Sequence, residues 1–304
     1  MTTSLGRLRG RIAAAPISWG VCEVPGWGAM LPPARVLAGI RGCGLTATEL
    51  GPPGWLPPEP TVLRRELAGL RLTAGFLAVP LHHRDAVALA TPTINALAGA
   101  GASHLVLAAA TGVDGYDGRP TLDADARRAL VAGAAAVAVR AQDRGLHAVL
   151  HPHVGTHVET PDEIEWFLAD GELGLCLDTG HVLVGGGDPV TLAADHRDRV
   201  HYVHLKDVDA GLAAAVRRGE RTYADAVAAG LYRPLGEGDV DIAAFVTGLE
   251  NGGYDGWYVL EQDTRLITSD EAAAASADRA TMASLRHLSG IAAGLTSTPP
   301  RSQR

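Results

Sequence analysis

Eight times along this chain, a short apolar run of strand length gives way to a segment of helix length. That alternation limits the fold more than any single motif does. The strand-like runs fall at 11–19, 45–50, 72–79, 104–108, 147–150, 173–177, 200–203 and 257–260. Helical segments are read at 33–41, 62–70, 92–100, 122–144, 242–251 and 271–293, with a helical insertion at 210–229. Two further helices announce themselves by their first residues. Thr160-Pro161-Asp162-Glu163 has a capping Thr, Pro at the first helical position and Glu three residues after the cap; Asp188-Pro189 opens the next helix the same way. Alternating strands and helices with no linker-like break predict one parallel sheet covered by helices. Eight such units predict a closed (β/α)8 barrel, and a doubly wound open sheet is the alternative should one strand be miscounted. The 304 residues suit a single barrel with insertions, expected over 11–293, with 1–10 and 294–304 as flexible termini.

Composition excludes several classes. Hydrophobic residues make up 47%, enough for a large core, and the net charge of −8 with no basic clustering argues against a nucleic-acid surface. No run reaches the roughly 18 apolar residues of a membrane span, and no signal peptide is read at the start; the expected location is the cytoplasm. Cys22, Cys43 and Cys176 are odd in number and far apart, so they predict free buried thiols rather than disulfides or a metal knuckle.

The chemistry sits where the apolar runs end. The second run ends at Glu49, the fifth at His151-Pro152-His153, the sixth at Asp178-Thr179-Gly180-His181, the seventh at His204-Leu205-Lys206 and the eighth at Glu261. In a barrel all eight carboxyl ends converge on one mouth, where sites of this fold gather. His151, Asp178, His204 and Glu261, from four successive strands, therefore form a candidate metal site. Its mixed nitrogen and oxygen donors suit Mn²⁺ or Co²⁺ first, then Zn²⁺, Fe²⁺ or Mg²⁺. Alternation along the strand places His151 and His153 on one face, so either serves as the ligand. His181 and Lys206 are candidates for holding or protonating a substrate, with helix capping and a salt bridge as their structural readings. Trp19 and Trp55 lie in mouth-side loops and are candidates for an apolar wall, as are His82 and His83 for the rim. His157 and Glu159 are read as loop residues, and Gly185–Gly187 as a flexible helix entry.

These segments resemble the xylose-isomerase-like TIM-barrel superfamily of sugar isomerases and epimerases. Within it they look most like the inosose (2-keto-myo-inositol) dehydratases. The carriers are Ala15-Pro16-Ile17-Ser18-Trp19-Gly20, Thr48-Glu49-Leu50-Gly51 with Leu56-Pro57, His151–Thr156, Asp178–His181, Gly186–Pro189, His204–Val208, Pro234–Gly238 and Glu261. Epimerases of this superfamily present a metal-bound glutamate from strand five and another from strand eight; here the strand-five position is His151. The resemblance implies a metal-dependent lyase dehydrating a cyclic keto-polyol through an enediolate. Glu261 is the first choice as base and Glu49 the second, with His181, His153 or Lys206 protonating the departing hydroxyl and Trp19, Trp55, His153 and Lys206 contacting substrate. It implies a small-molecule substrate and a homodimer or higher homo-oligomer, with no nucleic-acid or membrane partner. The alternative is a ketose epimerase or sugar isomerase with the same metal. A DNA-repair endonuclease and a non-catalytic sugar-binding barrel are the competitors from other classes.

Overall fold

The structure, a computed structural model, describes residues 5–22, 24–113 and 115–297. Nine parallel strand segments form one sheet in the order Arg71–Leu72, Ala47–Thr48, Ile12–Ala14, Tyr258–Leu260, Val200–Leu205, Gly174–Asp178, His147–Leu150, His104–Ala109 and Ala74–Val79. The two segments at the ends of this order are one interrupted strand. Arg71–Leu72 pairs with the second strand and Ala74–Val79 with the fourth, so the sheet closes on itself through Thr73. Thr73 bridges the break: its N–H donates to Thr48 O at 3.0 Å, and its carbonyl accepts from Ser103 and His104 N–H. Counted this way, eight strands alternate with helices in a single (β/α)8 barrel.

The barrel has two apolar layers, as the strand period of two requires. Inward-facing Ala13, Ala47, Ala74, Val106, Val149, Cys176, Tyr202, Trp257 and Val259 fill the lumen, three alanines on one side making room for Tyr202 and Trp257 on the other. Outward-facing residues such as Leu105, Leu107, Leu175, Leu177, Val203 and Leu205 pack under the helices. The Tyr202 hydroxyl crosses the lumen to donate to Thr73 Oγ1 at 2.7 Å, on the closing strand.

Most element boundaries match the sequence reading within a few residues. The differences have local causes. The first strand ends at Ala14, because Pro16 starts a 3-10 turn, Pro16–Trp19, and has no N–H for a ladder. The helix before the fourth strand starts at Ala86, six residues before Pro92, which lies inside it. Its buried face, Ala86, Ala90, Ile94 and Leu97, runs unbroken past the proline, and the Thr91 hydroxyl just before it donates to Val87 O. The insertion is two helices, Ala210–Arg217 and Tyr223–Ala228, rather than one. Arg233 and Tyr232 just beyond it pair antiparallel with Asp207–Val208. At the start, Leu8 is fully buried in a short 3-10 turn; the last helix runs to Ser297, and the rest of the expected tail lies outside the described residues.

Three imidazoles meet at the opposite, amino-terminal foot of the barrel. His201 Nε2 donates to Asp198 O at 3.2 Å, so its Nδ1 accepts from His147 Nε2 at 2.7 Å. Ser103 Oγ donates to Thr73 O and accepts from His104 Nδ1. All three rings are thus satisfied in the neutral form. Burial, then His147, His201 and Arg71, push His104 down to about 4. A pKa depressed in the fold means the unfolded chain binds the proton more readily. The His104 contribution is therefore present above about pH 6.5 and is lost as pH falls toward 4, by up to ~3 kcal/mol. Urea unfolding at pH 7.5 and 5.0 should show a shallower pH dependence for His104→Gln than for wild type; equal slopes would refute the assignment.

Candidate metal and substrate site

The inward column of each strand, followed past its last apolar residue, leads to a polar side chain at the mouth. Val149 is followed two and four residues on by His151 and His153, Cys176 by Asp178, Tyr202 by His204 and Lys206, Val259 by Glu261 and Asp263, and Ala47 by Glu49. A step of two keeps each on the lumen face. Buried apolar strands hold the backbone, and the polar ends meet above the lumen core.

His204 is the hub. Its Nε2 lies 2.9 Å from Glu49 Oε1, and its Nδ1 lies 2.9 Å from Glu261 Oε2 and 3.7 Å from Asp178 Oδ2. His151 Nε2 is 3.9 Å from the same Asp178 oxygen. Asp178 divides its carboxylate: Oδ1 accepts from Gly180 and His181 N–H, both at 2.8 Å, capping the helix Thr179–Val184, while Oδ2 is left toward the two imidazoles. Behind this group, Lys206 Nζ sits 2.8 Å from Glu261 Oε1, Asp263 Oδ1 and His181 Nε2, and 3.4 Å from Asp178 Oδ2. His181 Nε2 faces the Lys206 ammonium, and its Nδ1 faces the Val154 N–H at 3.4 Å. Asp263 Oδ2 in turn accepts from Tyr223 at 2.6 Å, and the Tyr223 and Tyr232 hydroxyls are 2.9 Å apart.

A cavity of about 50 Å³ opens beside this cluster, lined by Glu49, Glu261 and His153 among Ile17, Val21, Phe76 and Tyr116. His153 Nδ1 donates to Val154 O at 2.7 Å, so Nε2 carries the free lone pair. The His153 ring lies tilted against His181 with centroids 3.7 Å apart and stacks on Tyr116 at 5.7 Å. Gly155, at φ +79°, lets the strand-five loop pass directly under Tyr116; a Cβ there would lie 2.6 Å from Tyr116 Cα. Trp27, Tyr116 and Tyr223 pack edge to face and tilted into an aromatic roof.

The structure brings most of the candidate residues together but sorts them differently from the sequence reading. Glu49, His153 and Glu261 face the cavity. His151, Asp178 and His204 lie beneath it, each buried. Lys206 and His181 are also buried and do not line it, and the Lys206 ammonium faces the side chains of Asp178, Glu261, Asp263 and His181. The two tryptophans are a correction. Trp19 is wholly buried, with Nε1 donating to Asp278 Oδ1 of the last helix, because the 3-10 turn swings it outward; Trp55 Nε1 donates to Leu31 O. The apolar wall is made instead by Ile17, Phe76 and Tyr116. His82 and His157 contact each other at 4.9 Å beside this site without lining the cavity.

Electrostatics follow from burial amid four carboxylates. Burial pushes the pKa of Asp178 up to about 6 against the pull of Lys206. Burial works against charge on Glu261 and His204 too. For Glu261 the His204 and Lys206 cations win and hold its pKa well below the usual range; for His204, Cys176, Glu261 and Glu49 win and raise it. Burial holds His153 down to about 4 and His151 and His181 well below the ordinary value. Cys176, buried beneath, is raised to about 11 and stays a thiol.

A divalent cation fits this donor set. Both nitrogens of His151, Nδ1 of His204 and Oδ2 of Asp178 are buried without a hydrogen-bond partner, which costs free energy unless something else satisfies them. They face the same space as Glu261; His151 is neutral, the form that ligates, and His204, held as a cation by its carboxylates, would give up its Nδ1 proton on binding a metal. Among the described residues three triads of donor atoms within 4.8 Å draw on this set: Glu49, His204 and Glu261; His151, Cys176 and His204; and His151, His153 and His181.

Asp263, Tyr223, Tyr116 and Phe76 belong to the site and carried no role in the sequence reading, whereas the Tyr232 hydroxyl meets it only through that of Tyr223. Asp263 and Phe76 were findable from the inward step of two. Tyr223, in an Ala-rich insertion, gives no local signal.

A (β/α)8 barrel with this mouth defines a class, and the sequence comparison agrees: the chain belongs to the xylose isomerase-like TIM barrel family, whose model matches residues 43–287. Among curated proteins it is 34% identical over 267 residues to the rhizopine catabolism protein MocC of Rhizobium meliloti, covering 83% of this chain and 81% of that one. It is 32% identical over 270 residues to an inosose dehydratase of Geobacillus kaustophilus, covering 83% and 87%. Solved structures sharing the fold include a probable 3-DHS dehydratase from Bacillus anthracis, with a TM-score of 0.66, 16% identity, and coverage of 91% and 98%. An L-ribulose 3-epimerase matches with a TM-score of 0.65, 18% identity, and coverage of 97% and 99%. No helix among the described residues is long and apolar enough to cross a membrane.

Proposed function

We propose that this protein is a metal-dependent lyase that dehydrates a neutral cyclic keto-polyol, 2-keto-myo-inositol or a close analogue. The observation that carries the reading is the cavity itself. Its lining among the described residues has two carboxylates, one neutral imidazole and an apolar wall, with no Lys or Arg. The Lys206 ammonium is already shared among carboxylates and His181, and the His204 imidazolium between Glu49 and Glu261. A phosphate or carboxylate on the substrate would meet net negative charge, whereas hydroxyls would find acceptors at Glu49, Glu261 and His153 Nε2. Identity above 30% to an inosose dehydratase supports the same substrate class.

His151, Asp178, His204 and Glu261 would hold the cation, which as a Lewis acid polarises the ketone and acidifies the adjacent C–H; Mn²⁺ and Co²⁺ suit these donors. Glu261 faces the cavity, is ionised and is held by Lys206, so it takes the α-proton. The departing β-hydroxyl needs a proton, and the site limits the donors. His181 and Lys206 do not reach the cavity, and the His153 proton is committed to Val154 O. The proton therefore returns from Glu261 to the leaving oxygen: the C–H bond breaks, the C=C bond forms, the C–O bond breaks and water departs. His153 and Glu49 hold the remaining hydroxyls, and the aromatic roof keeps bulk water away.

An epimerase on the same scaffold is the second reading, favoured by one observation: Glu49 and Glu261 both line the cavity. Metal-stripped protein should be given 2-keto-myo-inositol with Mn²⁺, Co²⁺, Mg²⁺ or none, and the product weighed by mass spectrometry. Metal-dependent loss of one water is expected. A product of unchanged mass would select the epimerase, and faster turnover of a carboxylated or phosphorylated analogue would refute the neutral-substrate reading.

A further inference from the structure

The insertion after the seventh strand reaches the reacting residues. Tyr223 is the first residue of the helix Tyr223–Ala228, capped by Thr222. It is wholly buried between Trp27, Tyr116, His181 and Tyr232. Its backbone N–H donates to Asp117 Oδ1, in the loop after the fourth strand, so the insertion is pinned across the mouth. Its hydroxyl donates to Asp263 Oδ2, whose other oxygen lies 2.8 Å from Lys206 Nζ. Lys206 Nζ also lies 2.8 Å from Glu261 Oε1 and His181 Nε2.

We propose that Tyr223 is a positioning residue for the reaction, setting the Glu261 carboxylate through Asp263 and Lys206 and so making the site complete only when the insertion is docked over the mouth. The physical argument is competition for one cation. Asp263 and Glu261 both draw on Lys206, and Tyr223 satisfies part of the Asp263 charge. Without that hydroxyl, a buried carboxylate loses a short charge-assisted hydrogen bond and leans harder on Lys206. The ammonium then shifts away from Glu261 and His181. Glu261 is left less firmly oriented toward the cavity, and the contact of His181 with His153 loosens with it. The Tyr223–Asp263 bond ties the docked insertion to the residues beneath the cavity.

This inference rests on the dehydratase reading for its kinetic arm only. Tyr223→Phe keeps the ring in the aromatic roof and removes the hydroxyl; Tyr232→Phe is the control, since its hydroxyl reaches Asp263 only by way of Tyr223. On the metal-loaded protein, Tyr223→Phe is expected to lower kcat about 30-fold with KM changed less than threefold, while Tyr232→Phe stays within threefold of wild type. Asp263→Asn combined with Tyr223→Phe should be no slower than Asp263→Asn alone. A second arm needs no substrate: the visible absorption bands of Co²⁺ titrated into the apoprotein, which report the geometry of Glu261 as a donor. Tyr223→Phe should shift those bands, and Tyr232→Phe should not. If wild type turns over no keto-polyol, the dehydratase reading fails, while the Co²⁺ bands still decide the positioning role. Unchanged Co²⁺ bands in Tyr223→Phe overturn the proposal, as does a loss of kcat matched by Tyr232→Phe, which would mark a role in packing alone.

Discussion

Replacing Asp178 by asparagine is expected to cut turnover about a thousandfold, the loss of several kcal/mol of electrostatic stabilisation, while the barrel stays folded. The substitution separates two tasks that one side chain performs. Oδ1 caps the helix Thr179–Val184 and Oδ2 points at His151 and His204 without a hydrogen-bond partner. Asparagine keeps a carbonyl oxygen for the cap and puts an NH2 where the free oxygen was. That amide has no charge, and its N–H donors satisfy imidazole lone pairs instead of leaving an oxygen to ligate a cation. Metal affinity should therefore fall by more than the ten- to hundredfold that follows from loss of an outer partner. Asp178→Ala should add a separate stability loss of about 1 kcal/mol, because the cap goes as well. Calorimetric titration of Mn²⁺ into both variants, with thermal melts, checks this. An Asp178→Asn protein that binds Mn²⁺ as wild type does would remove Asp178 from the ligand set.

What the sequence made legible was periodic, and what it hid was long-range. The step of two along each strand carries Cys176 to Asp178, Tyr202 to His204 and Val259 to Glu261, and a lumen position cannot be left without carrying its successor to the mouth. The barrel and its central donors follow from that pattern plus the count of eight. The same pattern names Asp263, two beyond Glu261, as a site residue. It does not say that Lys206 is buried under Glu261, because a lysine two past His204 reads equally well as a group facing a ligand. Trp19 went astray for a related reason. A tryptophan in a mouth-side loop has no periodicity to place it, and only the turn begun by Pro16, with Asp278 waiting on the last helix, decides its direction. Tyr223 is beyond any local reading, since its partner Asp263 lies forty residues away across the mouth. Pro92 is the opposite case: a local rule that stops helices lost to a buried face that continues on both sides.

Lys206→Met should be the most destabilising single change in the site. Lys206 is buried, and its ammonium is the only cation within 4 Å of Asp178, Glu261 and Asp263 among the described residues, histidines aside. Removing one partner of a buried ionic group costs roughly 3–5 kcal/mol, because the partners left behind stay buried and uncompensated. Here three carboxylates would be left, with His204 as their remaining counter-charge. Three consequences can be measured by urea unfolding. At pH 7.5 the variant should lose about 3–5 kcal/mol. The deficit should shrink as pH falls below about 6, since Asp178 already sits near that value and the loss of Lys206 raises it further, so that the folded variant takes up protons that wild type does not. Mn²⁺ should recover part of the loss at pH 7.5, because a cation bound among the same carboxylates relieves their repulsion, and binding to the folded state stabilises it. A Lys206→Met protein as stable as wild type at both pH values would mean that the ion cluster does not hold the site together. A deficit that neither acid nor Mn²⁺ reduces would point to packing around the lysine stem, against Gly180 and Tyr232, as the larger contribution.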